Sequence, residues 1–346
     1  MRLRRVDCSA PGIRRRRAGR GFSYADQNGA PVTDPDTLAR IDALVIPPAW
    51  TDVWICPHPR GHIQATGVDA AGRRQYRYHD AWRLQRDRAK FDHMVAFGRA
   101  LPRLRDRIND DLAGDGLSRT RVLACATRLL DLGFFRIGTE GYAEQNQTYG
   151  LATIRKEHVT VRGDVVTFDY VAKSGKQRIQ SIVEPTVVEV VKALRRRRGG
   201  GPELLAYRND AGGWCDVKSA DINAYIKDVT GGDFSAKDFR TWAATVLGAV
   251  ALAVSKEAAT SRTARKRAVT RMYQEVSHYL GNTPAVCRAS YVDPRVVDRY
   301  LSGVTVPLDK VAADAQDGHL GTQGAVEWAV LDLLEDAPPV DLPMAV

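Results

Sequence analysis

Nothing in the 346-residue chain approaches the roughly 18 to 20 consecutive apolar residues that a membrane span requires, and the N-terminus lacks the apolar stretch of a secretory signal. A cytoplasmic protein without membrane attachment is therefore expected. Cysteine is scarce and scattered: Cys8, Cys56, Cys125, Cys215 and Cys287 form no Cys-x-x-Cys pair and have no histidine at zinc-finger spacing. An odd, unclustered set fits free thiols in a reducing compartment and excludes a disulfide framework. The seven histidines contain no His-Glu-x-x-His group, and no Gly-x-x-x-x-Gly-Lys loop is present to cradle a phosphate. Neither a metal nor a nucleotide nor any other cofactor is expected. No internal repeat is visible.

What is present is positive charge. The net charge is +10, unevenly spread. Residues 1–20 carry eight arginines against Asp7, whereas residues 309–346 carry Lys310 against eight acids. A basic body with a basic arm suits a polyanion, either nucleic acid or a membrane surface, although an arginine-rich composition alone gives the same balance. With 44% hydrophobic residues the chain can fill real cores, and its length calls for two lobes.

Residues 1–20 read as a mobile, arginine-rich arm. Residues 22–79 hold short strand-like runs separated by Pro-His-Pro-Arg and Asp-Ala-Ala-Gly turns, the pattern of a small antiparallel sheet. In the last run, Arg73-Arg-Gln-Tyr-Arg-Tyr78, the period of two puts Arg74, Tyr76 and Tyr78 on one side and Gln75, Arg77 and His79 on the other. Such a strand can contact DNA, or simply be half-buried with solvated arginines. Residues 80–112 read as charged helix broken at Pro102, with an interdomain linker near residue 90. Beyond it the chain is mainly helical: Ser118 caps a helix with apolar Val122, Cys125, Ala126 and Leu129, and further helices fall near 219–228, 238–253 and 262–280. Residues 159–162, 165–171 and 178–183 form a three-stranded meander whose second turn, Lys173-Ser-Gly-Lys176, carries two lysines. The acidic tail holds one amphipathic helix over 325–334. The expected fold class is α+β, with a β-rich N-terminal domain (1–90) and a mostly helical domain (91–346).

Two stretches carry chemistry. In Phe134-Phe-Arg-Ile-Gly138 a guanidinium between apolar neighbours demands an anionic partner, either a structural carboxylate or a ligand. In Gly281-Asn-Thr-Pro-Ala-Val-Cys-Arg-Ala-Ser-Tyr291, Gly281 ends one helix, Thr283 caps another and Pro284 occupies its first turn. Pro294 stops the short helix, which leaves the Tyr291 hydroxyl at a helix end.

With Lys237-Asp-Phe-Arg240 upstream, this stretch resembles the active-site signature of type IB DNA topoisomerases and, more distantly, of tyrosine recombinases. Phe-Phe-Arg-Ile-Gly followed by Tyr142, Asn146, Thr148 and Tyr149-Gly-Leu resembles the first-arginine motif of the same family. Gly72-Arg-Arg-Gln-Tyr-Arg-Tyr78 resembles the segment through which its poxvirus-like members contact DNA. The resemblance covers residues 50–300 and implies a clamp on double-stranded DNA, formed by a monomeric, nucleoid-associated protein that relaxes supercoils without ATP or metal. Tyr291 would be the nucleophile, Arg136 and Arg240 the phosphate ligands, Asn282 a neutral donor and Lys173, on its hairpin, the general acid. Lys176 lies on the same turn; Lys173 directly ends an apolar strand and is expected to be the better anchored. Arg73, Arg74, Gln75, Tyr76, Tyr78 and Tyr142 would contact DNA. Many members have histidine where this chain has Asn282, which can donate a hydrogen bond but not a full proton. A tyrosine recombinase would carry histidine at Lys237 and begin with a helical DNA-binding domain. A non-catalytic DNA-binding protein would not need all five groups in order.

Overall fold

The arginine run assigned to a mobile arm is a strand, β1 (Ile13–Ala18), in the computed structural model, which describes residues 2–309 and 323–335. Two anchors overcome its polarity. Ile13 enters the core with Ile41, Val53, Ile55 and Ala65. Arg15 lies over the Phe22 ring and donates to the carbonyls of Pro47 (3.2 Å) and Trp50 (2.6 Å). Its stem is thus buried and its charged head satisfied.

β1 lies between β2 (Gly21–Ala25) and β3 (Thr51–Ile55) in an antiparallel sheet that continues through β4 (Ile63–Val68) to β5 (Arg74–Tyr78). Helix α1 (Pro35–Ala43), capped by Asp34, places Ile41 against the inner face. Direct pairing of Ile13 with Ile55, Ile55 with Ala65 and Ala65 with Arg77 defines that face. On the opposite face Arg14, Arg16, Arg74, Tyr76 and Tyr78 are exposed, in the alternation read from the sequence.

Helix α2 (Asp80–Leu112) runs through both Pro102 and the position assigned to a linker. The chain divides into two units between Asp92 and His93, inside this helix. Pro102 removes one donor and crowds the carbonyl four residues back. The helix survives because Phe91, Met94, Phe97, Leu101, Leu104, Ile108 and Leu112 form one buried stripe, so packing outweighs the missing bond.

In the second unit, α3 (Arg119–Gly133) is capped by Ser118 and buries Val122, Cys125, Ala126 and Leu129. A short helix, α4 (Glu140–Asn146), precedes the meander β6 (Val159–Arg162), β7 (Val165–Ala172) and β8 (Lys176–Ile182), then α5 (Pro185–Arg196) and the small hairpin β9 (Ala206–Arg208) and β10 (Trp214–Asp216). Helices α6 (Ser219–Thr230), α7 (Ala236–Ser255), α8 (Arg262–Leu280), α9 (Pro284–Ser290) and α10 (Pro294–Leu301) follow, and α11 (Ala325–Glu335) packs on α7 and α10. The α11 packing is polar at its centre. Buried Glu327 accepts from Trp242 Nε1 at 2.8 Å and from Arg105 Nη1 at 2.5 Å, and Arg105 also holds Asp131. The β-rich first unit and mostly helical second unit make the fold α+β. Most of the acidic tail lies outside the described residues.

Candidate active site

Arg136, Asn282 and Tyr291 follow helix ends, Arg240 lies near a helix start, and Lys173 lies in a hairpin turn. Helix α3 ends at Gly133 because Phe134 takes the left-handed conformation (φ 53°), and the chain then runs outside regular structure through Arg136. That segment is clasped: Leu151 N–H donates to the Arg136 carbonyl at 2.8 Å and Ala152 N–H to the Ile137 carbonyl at 2.7 Å. The clasp closes on two glycines. A Cβ on Gly150 would lie 2.5 Å from the Gly138 Cα, so only hydrogen fits between the chains.

Helix α7 opens with Ser235, whose N–H and hydroxyl donate to Asp238 at 2.8 and 3.0 Å, and its second turn points Arg240 inward. Helix α8 ends in a Schellman motif on Gly281 (φ 63°), with Gly281 N–H donating to the His278 carbonyl and Asn282 N–H to that of Ser277. Thr283 caps α9, Pro284 starts it, and Tyr291 is the residue that closes it. Its backbone is tied to α7: the Thr245 hydroxyl accepts from Asp293 N–H at 3.1 Å and shares its proton between the carbonyls of Thr241 at 3.0 Å and Tyr291 at 3.3 Å.

These elements surround a cavity of about 310 Å³ lined by Arg136, Thr148, Lys173, Lys237, Arg240 and Tyr291, among others. Arg136 donates to Asn282 Oδ1 and to the Gly281 carbonyl. Arg240, only 4% exposed, donates to the carbonyls of Phe134 and Leu280, and its guanidinium lies 5.6 Å from the centre of the Tyr291 ring. Three buried donors in this region have no hydrogen-bond partner among the described residues: Arg240 Nε, Asn282 Nδ2 and the Thr148 hydroxyl. An anion with several acceptor oxygens would satisfy them.

The electrostatics match. Burial alone would raise the Tyr291 phenol, but the charges of Arg240 and Arg136, with the nearby Arg240 and Asn282 donors, bring it below its ordinary value. Burial and the charge of Arg136 push Arg240 down to about 10 against the stabilising phenolate. The cluster thus favours negative charge at the tyrosine oxygen.

The chain as a whole is similar to known proteins. A model of the eukaryotic DNA topoisomerase I catalytic core matches residues 79–304, more than half of the chain, and one of the bacterial DNA topoisomerase IB N-terminal domain matches residues 21–69. The DNA topoisomerase 1B of Acanthamoeba polyphaga mimivirus is 31% identical over 84% of this chain and 87% of its own. The chain belongs to the type IB DNA topoisomerases. More distant members include the DNA topoisomerase I of monkeypox virus, 20% identical over 67% of this chain and 70% of its own. The carrot DNA topoisomerase 1 is 29% identical over 37% of this chain and 15% of its own.

Within this family member the two hairpin lysines are placed differently from the anchoring argument. Lys176 is paired with Ala172 as the first residue of β8, whereas Lys173 sits in the three-residue turn, beside Ser174 and Gly175 in left-handed conformations. Lys176 therefore has the more regular backbone. Position separates the two instead: Lys173 lines the cavity that Tyr291 borders, while Lys176 lines a smaller one that Lys173 also borders.

The expected DNA contacts lie in the first unit, apart from Tyr142, which falls on α4 and whose side chain is outside the described residues. Tyr76 and Tyr78 are exposed and stacked, with ring centres 6.0 Å apart. Arg74 lies 3.8 Å from Asp52, and Arg73 and Gln75 are held by Asp69 at 3.1 and 2.9 Å. Sequence reasoning missed Thr148 and Lys237 as cavity-lining groups, although both stood inside quoted motifs. It also missed Arg178, for which no local signal existed.

Proposed function

We propose that this topoisomerase cleaves and reseals one strand of duplex DNA through Tyr291. The carrying observation is a partly buried phenol shifted toward its ionised form by two arginines that border the same cavity. Tyr291 Oη attacks the phosphorus in line, releasing its proton to water, and the bond to the 5′ oxygen breaks. Lys173 gives that oxygen a proton, and a 3′-phosphotyrosyl link remains. Arg136 and Arg240 neutralise the non-bridging oxygens, and Asn282 Nδ2 donates to the same cluster. The free 5′ end swivels, and reversal of the steps restores the strand. One phosphodiester is exchanged for another, so no ATP is consumed, and the arginines supply the charge that many phosphoryl-transfer enzymes take from magnesium.

The exposed face of the N-terminal sheet suits contacts with the duplex, through Arg73, Arg74, Gln75, Tyr76 and Tyr78. All five catalytic groups come from one chain, which supports action as a monomer. Free cysteines and a DNA substrate support a cytoplasmic, nucleoid-associated setting.

The test is covalent trapping on a nicked or suicide duplex. Tyr291→Phe is expected to bind DNA and form no adduct. A substrate with sulfur at the 5′ bridging position, whose leaving group needs no proton, is expected to rescue Lys173→Ala. An adduct on another tyrosine, or rescue of Lys176→Ala alone, would overturn these assignments.

A further inference from the structure

Carbonyls at the end of a helix lack partners further along it and carry partial negative charge. At the end of α8, three arginines from three elements reach the four carbonyls of residues 278–281. Arg240 of α7 donates to the Leu280 carbonyl at 2.8 Å, and Arg136, beyond α3, donates to that of Gly281 at 3.2 Å. Arg178 of β8 takes the other two, with Nη1 on His278 at 3.2 Å and Nη2 on Tyr279 at 2.7 Å. Its guanidinium also packs on Gly281, where an added Cβ would lie 3.3 Å from Nη1.

Arg136 and Arg240 line both the cavity that Tyr291 borders and a smaller one. Arg178 lines the smaller cavity, with Lys173, Lys176 and Gly281, but not the one that Tyr291 borders. It is half-buried and sits directly across from Tyr170 in the β7–β8 ladder, two residues after Lys176, where the lysine turn closes. Tyr170 is itself packed against Phe135, next to Arg136. One end of Arg178 is therefore fixed in the hairpin and the other on the turn that presents Asn282.

The lysine turn needs such a tie. Lys173 and Ser174 stand outside the ladder, Ser174 is strained at φ 68°, and Lys173 is exposed. A flexible ammonium in that setting transfers a proton efficiently only if its hairpin is held at a fixed distance from the scissile phosphate.

We propose that Arg178 is a positioning residue: it docks the lysine hairpin onto the α8 C-terminus and so sets the reach of Lys173 to the leaving oxygen. The inference rests on the reading of Lys173 as general acid. Arg178 touches no reacting atom, and its effect is confined to the proton-transfer part of cleavage.

The test uses the full-length chain, single-turnover cleavage, and two otherwise identical duplexes with oxygen or sulfur at the 5′ bridging position. Arg178→Gln removes the bidentate charge while keeping a polar side chain. It is expected to slow cleavage of the oxygen substrate by about a hundredfold, the scale of loss from a displaced catalytic group. The sulfur substrate is expected to be cleaved within a few fold of the parent rate. Arg178→Lys, able to reach one carbonyl, is expected to fall between. A thermal melt of each variant is the folding control, and Arg178→Lys is the second variant should Arg178→Gln fail to fold. An equal loss on both substrates in a variant that melts as the parent does, or no loss on either, would overturn the inference. Lys173→Ala is run alongside: if sulfur fails to rescue it while the parent forms the Tyr291 adduct, the general-acid reading fails first.

Discussion

At the residue scale, the candidate site is a set of cations arranged around one phenol, some of them placed by short-range signals and others by tertiary contacts. The helix junction that holds Tyr291 and Asn282 was legible because Gly281, Thr283 and Pro284 punctuate the chain as a helix end followed by a new helix start. As site candidates, Tyr291, Asn282 and Arg240 came from the resemblance to the type IB family and not from local pattern. The backbone behaviour of Lys173 was not legible, since the pairing of Lys176 with Ala172 depends on where the ladder closes, and either lysine can begin β8 by pattern alone. Asn282 offers a sharp test. Its Oδ1 is engaged by Arg136, and its buried Nδ2, without a hydrogen-bond partner among the described residues, is the donor that remains. Asn282→Ala is expected to slow single-turnover cleavage by roughly a hundred to a thousand fold, the usual loss for one transition-state donor. Asn282→His, which restores a donor, is expected to keep much of the activity. Full activity in the alanine variant would show that the amide is idle.

At the element scale, helices and strands were legible where one face is apolar, and poorly so where tertiary contacts override local preference. The stripe from Phe91 to Leu112 carries α2 through Pro102, a break by any local rule. β1 is the converse, a polar run made into a strand by Ile13 and by Arg15 bonding to loop carbonyls more than thirty residues away. Close approach between elements is equally invisible to periodicity. Gly138 and Gly150 were parts of motifs, and their packing against each other is what aligns the Arg136 segment. Gly150→Ala is expected to cost about 1 to 3 kcal/mol by overpacking. Because the strain falls on the segment holding Arg136, cleavage is expected to drop further than the loss of folded protein explains. A thermal melt beside single-turnover cleavage checks this; an unchanged melting temperature would show that the backbones move apart freely.

At the scale of the whole molecule, the two-lobed α+β plan followed from length and from the shift of pattern after residue 80; the division between Asp92 and His93 lies close to the boundary expected near residue 90, but inside a continuous helix and not in a linker. The charge balance pointed to a polyanion without naming one. The first unit now gives that charge a surface, with Arg14, Arg16 and Arg74 on the same face as the stacked tyrosines. Every phosphate that is no longer neutralised lowers the salt dependence of duplex binding by about 0.9 in log Kd per log salt. Replacing all three arginines by glutamine is expected to reduce that slope by roughly two to three, measured by fluorescence anisotropy, with the Tyr291 adduct still formed at low salt. An unchanged slope would place the duplex on another surface. The central claim is that side-chain cations alone support strand exchange at Tyr291. Its most direct measurement is relaxation of a supercoiled plasmid in excess EDTA without nucleotide. The account predicts complete relaxation by the parent chain and none by Tyr291→Phe; strict dependence on magnesium, or relaxation by the phenylalanine variant, would contradict it.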